Sequence, residues 1–89
     1  MPLQIVVEPT PNPNSMKFTL NKAVAQNGEF YSTPAHGEKS PLAKKLFALP
    51  GVTAVFFLNN FVTITRQPAA EWESLIEKVK ETLQTHFGE

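Results

Sequence analysis

The chain has 89 residues, no cysteine, and eight basic side chains balanced by eight acidic ones. That length fits one domain, residues 1–89, with a core that buries ~60–65% of the unfolded surface, and a hydrophobic content of 42% against 18% charged marks it as globular rather than disordered. Zero formal charge argues against a nucleic-acid or anionic-membrane binder, and the missing cysteines exclude disulfides, thiolate metal sites and cysteine nucleophiles.

The N-terminal stretch MPLQIVVEP has neither a basic run nor a long apolar run, so it does not read as a signal peptide. No stretch approaches the ~20 apolar residues of a membrane span, and a cytoplasmic protein is expected. Leu3 to Glu8 alternates, with Leu3, Ile5 and Val7 on one face, and reads as a strand. EPTPNPNS follows, where Pro9, Pro11 and Pro13 remove backbone donors and hold φ near that of an extended chain. It is expected to be a stiff connector closed by a turn at Asn14 and Ser15. Met16, Phe18 and Leu20 then alternate with Lys17 and Thr19, giving a second strand antiparallel to the first across the proline loop.

Residues 21–40 are less periodic. Asn27 and Gly28 signal a turn, Phe30 and Tyr31 a short third strand, and Thr33 to Lys39 a loop. Ser40 followed by Pro41 is a helix start, with a side-chain acceptor at the N-cap and a preset φ at the first helical position. Ala43 stands where a capping box would need Glu or Gln. Leu42, Ala43, Leu46, Phe47 and Leu49 form an apolar stripe, Lys44, Lys45 and Ala48 the outer side, and Pro50 and Gly51 the stop.

Val52 to Arg66, VTAVFFLNNFVTITR, is a hairpin signal: alternating β-branched and aromatic residues around Asn59 and Asn60, which tolerate φ > 0. With those two as the loop, Leu58 faces Phe61, Phe57 faces Val62, Phe56 faces Thr63 and Val55 faces Ile64. One face carries Val55, Phe57, Val62 and Ile64 and is expected to be core. The other carries Ala54, Phe56, Leu58, Phe61, Thr63 and Thr65.

After a connector at Gln67 to Ala70, the residues Trp72, Leu75, Ile76, Val79, Leu83 and Phe87 recur at helical spacing, with charged residues on the other side and Gly88 at the end. The order ββ(β)αββα gives an α+β fold: a two-layer sandwich with a largely antiparallel sheet. Each helix has one apolar stripe, so both are expected to cover one sheet face.

No catalytic constellation emerges. His36 and His86 read as solvated, in a loop and at a helix end, and lack ligand-like spacing. Glu8, Glu29 and Glu38 suit a hard cation by type, but nothing brings them together. Ser15 and Ser40 are explained by turn and cap positions. Lys44 and Lys45 read as a solvated face, and Trp72 as a core anchor. An enzyme is not expected, because no nucleophile–base or acid–base pair can be placed. The second hairpin face is different. Phe56, Leu58 and Phe61 are cross-strand or diagonal neighbours on a face shared with Thr63, and Lys17 is expected to border the patch, although no pattern in the sequence places it there. Two readings are open: coverage by the 21–40 segment, or a surface that binds a partner.

At EPTPNPNSMKF (8–18), SPLAKKLF (40–47), GVTAVFFLNNFVTIT (51–65) and AEWESL (70–75), the chain resembles the N-terminal domain of the Nfu/NifU-type iron–sulfur scaffold proteins, over nearly its whole length. In that family the domain accompanies a C-terminal module whose CxxC thiolates bridge a cluster between protomers, and the family is associated with cluster assembly and iron binding. The resemblance implies an accessory role with scaffold, carrier or recipient proteins. The chain departs from the scaffold in having no CxxC module and no cysteine, so no cluster is expected on its own thiolates. Iron enters by family association alone, with no ligand motif to match, and no cofactor is expected to be bound by the chain's own residues. Asn60 stands where the family pattern often has Asp. The leading expectation is thus a non-catalytic interaction domain; the alternative is a weak iron-binding module using oxygen or nitrogen ligands.

Overall fold

The computed structural model describes residues 4–32 and 40–87. In chain order these form β1 (Ile5–Pro9), β2 (Ser15–Leu20), β3 (Ala25–Tyr31), α1 (Pro41–Phe47), β4 (Val52–Asn59), β5 (Phe61–Arg66) and α2 (Trp72–His86). The strands make one sheet in the order β1-β2-β5-β4-β3, and every pairing is antiparallel. The α+β reading therefore holds.

The hairpin has the register its alternation dictates: Val55 opposite Ile64, Phe57 opposite Val62, Phe56 opposite Thr63 and Leu58 opposite Phe61. Of its two asparagines only Asn59 takes a positive φ, 52°. A type I′ turn would need it at both. The tip is held from outside. Asn60 O accepts from Leu20 N at 2.7 Å, its Nδ2 donates to Leu20 O at 3.1 Å, and Asn59 O accepts from Val24 N at 2.7 Å. Asparagine suits position 60 because its amide donates, which an ionised aspartate cannot do.

Two expectations about β3 and the first connector are corrected. Asn27 and Gly28 do not form a turn; they lie inside β3, where the register with β4 shifts between Ala25 and Glu29. The third strand is thus seven residues rather than two. An edge strand tolerates such a bulge because only one of its sides is paired. Likewise β1 runs through Pro9, which lies opposite Met16. Proline is admissible there because β1 is also an edge. Leu3, Thr33 to Lys39 and Gly88 lie outside the described residues.

One hydrophobic core joins the two layers. Phe18, Leu20, Val55, Phe57, Val62 and Ile64 from the sheet are buried against Leu42, Ala43 and Leu46 of α1 and Leu75, Val79 and Leu83 of α2. Phe47, Trp72 and Ile76 are half-buried around them. Both helices therefore cover the same sheet face. Ser40 caps α1 as its sequence indicates: its Oγ accepts from Ala43 N at 3.3 Å, with Pro41 next in the chain. A second register shift, between Val52 and Ala54, turns Val52 back into the core, against simple alternation. Gly51 leads from the helix layer into β4 with φ +94°, and a Cβ there would meet Ala70 Cβ at 2.5 Å, so both conformation and space select glycine.

Candidate functional site

Alternation sends every second side chain of the sheet away from the helices. Two adjacent rows result. Along one lie Glu8, Lys17, Thr63, Phe56 and Phe30; along the next lie Val6, Thr19, Phe61 and Leu58. Each of the residues singled out from sequence, Lys17, Phe56, Leu58, Phe61 and Thr63, stands on this open face and is half-buried. Their partial cover comes in part from one another. Phe56 sits between two rings, with centroids 6.4 Å from Phe30 and 6.1 Å from Phe61. The Lys17 ammonium lies over the Phe61 ring, 4.6 Å from its centroid, rather than pairing with its cross-strand neighbour Glu8.

Of the 21–40 segment, residues 25–31 extend the sheet sideways as β3 and so add to the open face. Phe30 joins the aromatic row with 56% of its surface exposed, and Val6 on the other edge is 57% exposed. Neither was identified as a site residue from sequence. The signal for Phe30 was its place beside Tyr31 in an alternating pair. Its partner Phe56 could not be read, because β3 pairs with a strand about 25 residues further on.

The proline loop is fastened to the rim of this sheet. Ser15 N donates to Asn12 O at 3.0 Å, Asn14 N to Asn12 Oδ1 at 2.9 Å, and the buried Ser15 shares a 2.9 Å hydroxyl contact with Thr65. Arg66 N donates to Asn14 O at 2.8 Å. The Trp72 indole N–H donates to Pro13 O at 3.2 Å, and the Arg66 guanidinium lies over the same indole at 5.0 Å. Trp72 is thus both a partial core anchor and a clasp for the loop.

The titratable side chains are dispersed over the fold. Among the described residues no three His, Asp or Glu side chains converge. Glu8 and Glu29 lie on opposite edge strands, and His36 and Glu38 fall outside the described residues. His86 is half-buried rather than solvated, edge-on to Phe87, with Nδ1 3.3 Å from Lys45 Nζ. Burial first, then the Lys45 charge, holds it below the ordinary histidine value. Tyr31 donates to Glu29 Oε1 at 2.8 Å, and that bond, aided by desolvation, raises its phenol above the usual value. Two shallow hollows lie on the helix side. One, near the start of α2, is lined by Pro50, Gly51, Gln67, Ser74 and Lys78. The other lies between the end of α1 and the last turns of α2. No described helix is long and apolar enough to cross a membrane.

The described residues thus form a helix-backed antiparallel sheet with an aromatic outer face. The family model described as scaffold protein Nfu/NifU N-terminal matches residues 5–89. The chain belongs to that family of iron–sulfur cluster scaffold proteins, as the resemblance implied. Among similar curated proteins, the NFU1 iron-sulfur cluster scaffold homolog, mitochondrial, of Drosophila persimilis is 39% identical over 86 residues, covering 94% of this chain and 30% of the relative. The protein of the same name from Homo sapiens is 38% identical, covering 94% and 34%. The chain thus spans about a third of the length of these relatives. Among solved structures, the NifU-like protein of Saccharomyces cerevisiae superposes with a TM-score of 0.84 at 22% identity, covering 97% of this chain and 79% of that one. Protein SAV1430 of Staphylococcus aureus gives 0.73 at 25% identity, covering 93% and 99%.

Proposed function

We propose that the chain is a non-catalytic accessory domain of iron–sulfur cluster assembly that works by binding another protein of the pathway through the open sheet face. Phe56, Leu58 and Phe61 form the centre of the contact, Phe30 extends it, and Thr63 and Lys17 border it. One observation carries the reading: the aromatic row lies on the sheet face opposite both helices, where it adds nothing to the core. Aromatic side chains on a rigid sheet are suited to an interface, since they bring large area at low ordering cost. The partners are scaffold, carrier or recipient proteins, as expected for this family; neither nucleic acid nor membrane is among them. The 89 residues supply no thiolate, so the cluster rests on other ligands.

Partner affinity measured for Phe56→Ser and Phe61→Ser tests the reading. Each should weaken capture of the cluster scaffold by more than ~1–2 kcal/mol. Unchanged affinity in both would end it. In the same reading no cofactor is bound by the chain's own residues. Calorimetric titration with Fe²⁺ and Zn²⁺ should show nothing tighter than high micromolar; stoichiometric binding below ~1 μM, about −8 kcal/mol, would instead establish an iron-binding module. We place the chain in the cytoplasm, whereas the relatives' names place them in mitochondria. Imaging a tagged chain in its source cell decides between the two.

A further inference from the structure

The helix layer carries a concave surface of its own, on the side of the molecule away from the aromatic face. Beyond Phe47 the chain passes through Ala48 and Leu49 alongside the last turns of α2, leaving a hollow of about 400 Å³. Ala48 and Leu49 line it, and Leu49 also packs against the core, so this wall is anchored. Thr82 and Thr85 form the α2 wall, and the Thr82 hydroxyl is already engaged, donating to Lys78 O at 2.8 Å. Lys45 from α1 and Lys78 from α2 flank the hollow, with Glu81 as its single carboxylate.

The charge here is out of balance. Among the described residues, no carboxylate oxygen lies within 4.0 Å of either ammonium. The polar contact of Lys45 is the His86 ring, with Nδ1 at 3.3 Å, rather than a carboxylate. Two cations beside an apolar wall call for a ligand with the reverse pattern: an apolar side chain for the wall and carboxylates for the flanks. Long lysine stems add apolar surface while their charged ends stay in water, ready to pair.

We propose that this hollow docks an acidic peptide segment of a partner protein, with an apolar side chain against Ala48 and Leu49 and carboxylates at Lys45 and Lys78. The site does not depend on the open sheet face. The two surfaces lie on opposite layers, so one domain can hold an acidic segment here while its aromatic face is occupied.

The test uses the isotope-labelled 89-residue chain and two synthetic peptides with capped ends: one with two leucines flanked by glutamates, the other with glutamine at each glutamate. Amide shifts should centre on Ala48, Leu49, Thr82 and Thr85. The glutamate peptide should bind at least fivefold tighter, and the advantage should shrink at high salt. Lys45→Glu with Lys78→Glu should abolish the advantage while the amide spectrum stays that of the folded chain. Should that double variant not fold, the milder Lys45→Gln with Lys78→Gln carries the same expectation. Equal binding of both peptides, absence of binding, or shifts centred on Phe56 and Phe61 would each overturn the proposal. Loss of partner binding in the Phe56→Ser and Phe61→Ser variants leaves peptide binding unchanged, which separates this site from the open-face reading.

Discussion

The β4–β5 hairpin presents two faces from the same fifteen-residue stretch, and they meet different ends. Val55, Phe57, Val62 and Ile64 are at most 2% exposed and lie beneath the helices. Phe56, Leu58 and Phe61, one residue away in each case, are half-buried on the far side. Hydrophobicity does not distinguish the faces, since both carry phenylalanine. What distinguishes them is the other layer: both helices turn their apolar stripes to the same side of the sheet and leave the other side without a helix. The outer aromatics therefore cover each other, ring against ring, and a lysine lies over one of them.

The strongest way to break this comparison is to truncate one aromatic on each face. Phe57→Ala should cost about 3–5 kcal/mol, a large part of the stability of so small a domain. Phe56→Ser should cost well under half of that, because its ring is already partly in water. Chemical denaturation of the two variants measures the contrast, and equal midpoints would make the outer face an interior one. A smaller effect comes from loosening the cover over the inner face. Ser40→Ala removes the cap of α1 and should cost ~1 kcal/mol, seen as a lower unfolding midpoint with partner binding intact.

The smallest effect concerns pH at the far end of that cover. His86 titrates below its ordinary value of 6.5, so the folded chain holds fewer protons than the unfolded one in the window between the two values. Its contribution to stability is fully present above pH 6.5 and is lost as pH falls through the depressed value. Thermal midpoints followed from pH 7.5 downward should fall less steeply in His86→Gln than in the parent chain. Equal slopes would show that the ring is not desolvated.

Much of this architecture is legible in the sequence, and the reasons are local. The hairpin register follows from a period of two around paired asparagines, both helices from their apolar stripes, and the start of α1 from Ser40-Pro41. Only the Phe30–Tyr31 end of β3 is legible, because Asn27-Gly28 carries the chemistry of a turn and only pairing with β4 makes the rest a strand. The bulge that turns Val52 inward leaves no mark in the residue pattern. The open-face residues were found by alternation alone, but their joining to Phe30 and Lys17 depends on strand order, which no local signal encodes. The clasp of Arg66 and Trp72 was hidden for a similar reason: its acceptor is a backbone carbonyl more than fifty residues earlier.

That clasp makes the chain a self-reporting molecule. Trp72 is its single tryptophan, and the indole touches a peptide carbonyl of the proline loop on one edge and a guanidinium across its plane. Both neighbours shape the emission of an excited indole, the one as a hydrogen-bond acceptor and the other as a nearby cation. Intrinsic fluorescence therefore reads the seating of the loop with no dye attached, and a ligand that lifts the loop from the rim announces itself by a change in the colour and yield of that one residue.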